Sequence, residues 1–307
     1  MINSYKVIVC TPVGRKETLN IMVKYMLSLT HVVDEWQLWM NVRNDTDIDY
    51  INSVANNNSE FIKQVYKLPK NHPEYATNSA LRYFYNDCTD SNTIYVKMDD
   101  DIVYIDIEGF MKYLQFRADN PQYFLVNPVI VNNIFISWKL ANLGLLPDFP
   151  HYSPAGENLQ AALKNVPQDL NIFDESLRIA HVIPEHIVLD KTYWGNTDFA
   201  VYIHNKFLEN PELFKIQNWE LTNYEIVSIH CISWIGSAFK NIVGKISPED
   251  EPWLQTLYPR SIGLKNIVFG DCVVSHYSYH NQHALLNKSD ILDKYTTLSK
   301  IELQTQQ

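Results

Sequence analysis

Hydrophobic positions change period repeatedly along this chain of 307 residues, and the changes mark out alternating strands and helices. The first run, YKVIVCTPV (5–13), is apolar and β-branched and is stopped by Pro12 and Gly14, which predicts a buried strand ending in a turn. Behind it Leu19, Met22, Val23, Met26 and Leu29 recur at steps of three and four, the apolar stripe of a helix. WQLWMNV (36–42) predicts a second strand, followed by a polar loop and a short helix near 48–56. FIKQVYKL (61–68) predicts a third strand, and the stretch after His72-Pro73 predicts a helix through Tyr85. TIYVKM (93–98) predicts a fourth strand, which runs directly into Asp99-Asp100-Asp101.

Strand-like runs return at YFLVNPVIV (123–131) and KNIVFGDCVVSHYSY (265–279). Between them, residues 132–190 are irregular and rich in Pro and Asn, the pattern of a lid, an acceptor loop or plain surface elaboration. From Ala284 onward, Leu285, Leu292, Tyr295, Leu298 and Ile301 predict an amphipathic closing helix. The order predicts an α/β fold with a mainly parallel central sheet flanked by helices. In such sheets ligands bind at the carboxyl ends of the strands, and the acidic triplet stands at one. No repeat or linker divides the chain. A single domain over 1–307 is expected, with a Rossmann-like first half (about 1–130), a second half (about 131–283) and a closing helix (284–307).

Charge narrows the function. The formal net charge is -10, with Lys+Arg 25 against Asp+Glu 35, and no basic run stands out. No nucleic-acid partner is therefore expected, because phosphate neutralisation needs a basic face. Cys10, Cys88, Cys231 and Cys272 are far apart and form no CxxC pair, which fits neither a zinc knuckle nor a disulfide framework. The N-terminal residues lack a signal-peptide pattern, and no run reaches the ~20 apolar residues that span a bilayer. A soluble, cytoplasmic protein in a reducing compartment, with no transmembrane segment, is expected. P-loop, nucleophile-elbow and H-E-x-x-H motifs are absent, which excludes the common NTPase, hydrolase and zinc-protease plans.

The triplet carries the chemistry. If the backbone stays extended, Asp99 and Asp101 point to one side and Asp100 to the back. Two carboxylates projecting together into a cleft repel unless a cation lies between them, and such a pair with a diphosphate suits Mg²⁺ or Mn²⁺. The bland alternative is a solvated acidic turn.

At this point a family resemblance enters. YVKMDDDIVYID resembles the DxD element of GT-A glycosyltransferases, and VIVCTPVGR resembles the first strand and nucleotide-contacting turn of their family-two-like branch. Asn78, in YATNSALRYFY, lies about where that branch has an Asn opening the helix before the DxD strand. The resemblance covers the first 110 residues. It implies a GT-A fold and a nucleoside-diphosphate-sugar donor. Thr11, Pro12, Arg15, Asn78, Asp99 and Asp100 would contact the nucleotide, and Asp101 would be the main metal ligand beside Asp99. Each of the turn residues has a scaffold alternative.

Two later stretches extend it. SPEDEPW (247–253) resembles the acceptor-side acidic element of inverting members, with Asp250 the closest match to the base and Glu249 beside it. Its acids lie between Pro248 and Pro252, which predicts a loop, and neighbouring acids raise a carboxyl pKa through like-charge repulsion. Trp253 is either a sugar platform or a packing anchor. GDCVVSHYSYHNQ (270–282) resembles the late segment that completes the metal shell with a histidine; His276 is the first choice and His280 the reserve. Trp194 and Asp198 are expected near the acceptor cleft, whereas His204 reads as structural.

The expected function is transfer of a sugar from a nucleoside diphosphate to the hydroxyl of a saccharide or other acceptor, with Mn²⁺ or Mg²⁺ and inversion by a carboxylate base. A sugar nucleotidyltransferase and a catalytically inactive carbohydrate-binding or scaffold protein remain as alternatives. A single glycine in TPVGRKE counts against the former.

Overall fold

A computed structural model describes residues 2–146 and 196–305. The first half alternates as its periodicity demands: β1 (Lys6–Val13), α1 (Lys16–Ser28), β2 (Glu35–Met40), α2 (Asp45–Asn57) and β3 (Ile62–Val65). The expected helix after His72-Pro73 is shorter than the sequence suggests. Residues 70–77 form turns, with Ala76 at φ 60, and only a 3-10 turn (Asn78–Ala80) and α3 (Leu81–Tyr85) are helical. β4 (Thr93–Met98), β5 (Ile102–Ile105), α4 (Ile107–Asp119), β6 (Tyr123–Val131) and α5 (Ile134–Asn142) follow. The second half adds α6 (Thr197–Glu209), β7 (Trp219–Glu220), β8 (Cys231–Ile235) and β9 (Lys265–His276). The closing helix is two helices, α7 (His280–Leu286) and α8 (Ile291–Thr305).

Polar caps fix where the helices begin. Asn44, Asp106, Asn133 and Asn196 each accept a backbone N–H from the first turn of α2, α4, α5 and α6 respectively, satisfying donors that have no intrahelical partner.

One sheet collects strands from both halves, in the order β3-β2-β1-β4-β8-β6-β9-β5, with β7 on β9. Pairing is parallel from β3 to β4 and again between β6 and β9. β8 runs antiparallel between β4 and β6, and β5 runs antiparallel to β9. The result is an α/β fold with a Rossmann-like parallel half flanked by helices.

Strand alternation divides the core between the two faces. Val7 and Val9 of β1, with Ile94, Val96 and Met98 of β4, pack on the face that includes Leu19, Met22 and Met26 of α1 and Tyr295 of α8. Ile8 and Cys10, with Tyr95, pack on the other face with Phe84 and Tyr85 of α3 and Trp234 and Phe239. All four cysteines are buried and free. Among the described residues, no helix is long and apolar enough to cross a membrane.

Candidate active site

β4 ends at Met98, and the triplet is a turn rather than a strand: Ile102 N–H donates to Asp99 C=O at 3.2 Å. Side-chain alternation therefore stops at Met98, and Asp100 is not turned to the back. Its Oδ2 accepts the backbone N–H groups of Gly14 (2.6 Å) and Arg15 (2.8 Å), and its Oδ1 accepts Arg15 Nε (2.8 Å). Arg15 Nη1 reaches Asp101 Oδ2 at 2.7 Å, so one guanidinium spans Asp100 and Asp101. Asp99 pairs with Lys97, a buried lysine on β4 whose Nζ also donates to Ile229 C=O at 2.9 Å.

The late segment folds onto the triplet. β5 and β9 pair Ile102 with His276, and Tyr277 N–H donates to Asp101 C=O at 2.8 Å. This places His276 Nε2 3.2 Å from Asp101 Oδ2, with Nδ1 3.5 Å from Asn132 C=O. His280, the reserve, is exposed at the start of α7. His230, just before β8, stacks on His276 with ring centroids 3.6 Å apart, and Tyr279 meets both rings edge-on. Burial, then the neighbouring His276, push the His230 pKa well below its ordinary value, so it is neutral. Burial alone would raise the Asp101 pKa, but Arg15 and His276 outweigh it and hold this carboxylate ionised far into acid.

Asp101 Oδ1 is buried with no hydrogen-bond partner, and Oδ2 faces an imidazole nitrogen. An orphaned carboxylate oxygen beside a histidine fits a hard or borderline divalent cation. Among the described residues, no three His, Cys, Asp or Glu side chains enclose a metal on their own. That donor set suits Mn²⁺ or Mg²⁺ completed by phosphate oxygens better than a closed structural site.

The acids of SPEDEPW are not in a plain loop. Glu249 precedes a short helical stretch that begins at Asp250 and passes through a wider π-type turn at Trp253–Leu257. Glu249 is exposed, whereas Asp250 is buried and accepts Tyr85 Oη at 3.4 Å. Burial raises the Asp250 pKa to about 6, opposed by Lys97 and helped by Asp99. Glu251, which sequence reasoning passed over, accepts Ile229 N–H at 3.3 Å, and burial pushes its pKa to about 7. Ile229 thus ties its carbonyl to Lys97 and its N–H to Glu251, which joins this stretch to the triplet.

Other expected residues lie elsewhere. Thr11 is wholly buried, with its hydroxyl accepting Trp36 Nε1 at 2.9 Å, and this removes its side chain from any ligand. Pro12, on the same strand, is partly buried. Asn78 is exposed and accepts Arg43 Nη2 at 2.8 Å, on a loop that Asn41 also pins through Ala76 and Thr77. Trp253 stacks on Tyr258 with centroids 4.7 Å apart, a packing role. Asp198 is exposed in the first turn of α6, and Trp194 lies outside the described residues, as does most of 132–190. His204 bonds to Tyr295 Oη and Tyr277 C=O, and burial lowers its pKa to about 4, as a structural histidine requires. Along the same carboxyl edge, a cavity of about 530 Å³ opens beyond β2 and β3, between Met40, Ile48, Tyr66, Lys67, Lys70 and Tyr75.

No family model matches the chain, and no curated protein matches its sequence. Solved structures show distant similarity to it. Glucosyl-3-phosphoglycerate synthase from Mycobacterium tuberculosis, solved with Mn²⁺, UDP-glucose and phosphoglyceric acid, is similar over 48% of this chain and 51% of its own, at 18% identity and TM-score 0.33. Mannose-6-phosphate isomerase from Helicobacter pylori is similar over 41% of this chain and 50% of its own, at 16% identity and TM-score 0.29. This chain thus spans about half the length of either protein. CMP:2-keto-3-deoxy-manno-octonic acid synthetase, complexed with CTP, is similar over 96% of this chain and 99% of its own, at 10% identity and TM-score 0.45. Similarities this distant decide neither substrate nor reaction.

Proposed function

We propose that the protein is a metal-dependent glycosyltransferase of GT-A type that moves a sugar from a nucleoside diphosphate to a hydroxyl acceptor. One observation carries this reading: Asp101, with an orphaned buried oxygen, faces His276 at the carboxyl edge of a parallel half-sheet. Asp101 and His276 would hold Mn²⁺ or Mg²⁺ with the donor's phosphates, and Asp99 stands beside them on Lys97. A cation bound there would neutralise charge growing on the departing nucleoside diphosphate.

The chain's own residues supply the rest. Asp100 fixes the β1–α1 turn through Gly14 and Arg15, so the backbone around the donor site is set before a ligand binds. The base and ribose are assigned to the cavity between Tyr66 and Tyr75. β3, whose following residues form most of the lining, lies three strands from β4, roughly 14 Å at the usual strand spacing and within the reach of a nucleoside diphosphate. Asp250 is assigned as the base that takes the acceptor's proton, since a pKa of about 6 leaves it ionised yet basic at neutral pH. Exposed Glu249 is given no part in that step.

The test is a screen of nucleotide sugars with and without Mn²⁺, scored by nucleoside diphosphate release. Mn²⁺-dependent release with at least one donor, lost in Asp101→Ala, supports the proposal. Pyrophosphate release from a nucleoside triphosphate and a free sugar would instead make the protein a nucleotidyltransferase, and absence of both binding and turnover would make it a carbohydrate-binding or scaffold protein.

A further inference from the structure

Arg15 is placed where a cation would be expected. It stands at the N-cap position of α1 but makes no side-chain cap there; its guanidinium reaches across to two aspartates. Asp100 does not depend on that contact alone, because Gly14 and Arg15 N–H groups hold its other oxygen. Asp101 is different. Its Oδ2 is shared between Arg15 Nη1 and His276 Nε2, and its Oδ1 has no partner. The Asp100 and Asp101 side chains are 4% and 3% exposed, whereas Arg15 is 41% exposed. Arg15 therefore reaches two buried carboxylates from a side chain that is itself partly open to solvent.

We propose that Arg15 is a resident counter-charge for Asp101 that a divalent cation displaces, after which the freed Nη1 grips the donor's diphosphate. The inference rests on the metal-dependent reading above and adds an exchange to it. A guanidinium and a divalent cation on one carboxylate repel each other, so Arg15 opposes metal binding in the absence of donor. Once Nη1 is off Asp101, with Nε and Nη2 still anchored on Asp100 Oδ1, it can turn to a phosphate oxygen, so the same residue favours metal and diphosphate together. Arg15 is thus a positioning residue that makes the two ligands bind as a pair.

Titration of Mn²⁺ alone, and of Mn²⁺ with inorganic pyrophosphate, into the native protein, Arg15→Gln, Arg15→Lys and Asp101→Ala tests this. Native protein should bind Mn²⁺ weakly alone and more tightly with pyrophosphate. Arg15→Gln should bind Mn²⁺ alone about tenfold tighter than native and lose most of the gain from pyrophosphate, a coupling of ordinary allosteric size. Arg15→Lys, which keeps the charge without the fork, should remain weak for Mn²⁺ alone. Asp101→Ala should bind in neither case.

Equal or weaker Mn²⁺ affinity in a folded Arg15→Gln would overturn the exchange while leaving the metal site standing. Absence of Mn²⁺ binding in every form, pyrophosphate included, would overturn the metal reading and the exchange with it. The ¹⁵Nη1 resonance of Arg15, the nitrogen bonded to Asp101, gives a check in the native protein free of substitution. It should shift on adding Mg²⁺; no shift at saturating Mg²⁺ would show that Arg15 stays on Asp101 and would reject the proposal.

Discussion

The imidazoles of His230 and His276 stack face to face, with centroids 3.6 Å apart and planes inclined by 9°, and the second ring points Nε2 at Asp101. The stack fixes the orientation of His276 from one side while Asn132 C=O holds Nδ1 from another. His230 thereby supports His276 through its ring, while its carbonyl accepts the Asp99 N–H at 2.9 Å.

Substitutions here should separate the two roles. His276→Ala should raise the Mn²⁺ concentration for half-maximal activation by about 10–100-fold, the scale of a lost ligand or its support. His230→Ala should produce a smaller rise, and His230→Phe, which keeps a flat ring against His276, should stay near native. An unchanged Mn²⁺ requirement in His276→Ala would remove that residue from the metal site.

Asp250 predicts opposite trends for activity and stability with pH. As a base it must be ionised, so turnover should rise through pH about 6 and level above it. Its folded pKa is above that of the unfolded chain, so its share of stability is fully present below the ordinary carboxylate range and lost as pH climbs through about 6. Urea unfolding of native protein and Asp250→Asn across pH 4–8 measures this. The native chain should lose up to about 3 kcal/mol relative to the variant, from the shift of roughly two pKa steps. Asp250→Asn should also cut turnover about 10²–10⁴-fold, with Glu249→Gln near native.

Much of the first half was legible in the sequence because its strands are flanked by polar breaks and its helix stripe is clean. Val7 and Val9 against Ile8 and Cys10 show the alternation that an apolar run conceals, both faces being buried. The triplet was legible as an acidic strand end, but its geometry was not. A backbone that turns at Asp99 sends Asp100 to Gly14 and Arg15, and periodicity cannot register that. β8 was not anticipated, since Cys231–Ile235 is a short apolar run without a distinctive period. With β8 missed, His230 and Ile229 had no place in the site, and Glu251 was legible only as a neighbour of Asp250 in the acidic element. Lys97 and Tyr85 were also passed over; a lysine inside TIYVKM, where every other side chain is apolar or Thr, was the one available signal.

That lysine is a stability liability if its partner is left behind. Lys97→Met should cost about 3 kcal/mol in urea unfolding, because Asp99 then keeps an uncompensated, largely buried charge. Lys97→Met with Asp99→Asn should recover most of the loss. A single-variant cost below about 1 kcal/mol, the scale of an exposed ion pair, would mean that the pair contributes no more than a surface contact.

Calorimetric titration of UDP and GDP into the native protein and Asp101→Ala, each with Mn²⁺ and with a chelator, tests the central claim most directly. The account predicts that at least one nucleoside diphosphate binds native protein about 10–100-fold more tightly with Mn²⁺ than without, and that Asp101→Ala abolishes this difference. Binding of equal strength in all four conditions, or none in any, would contradict it.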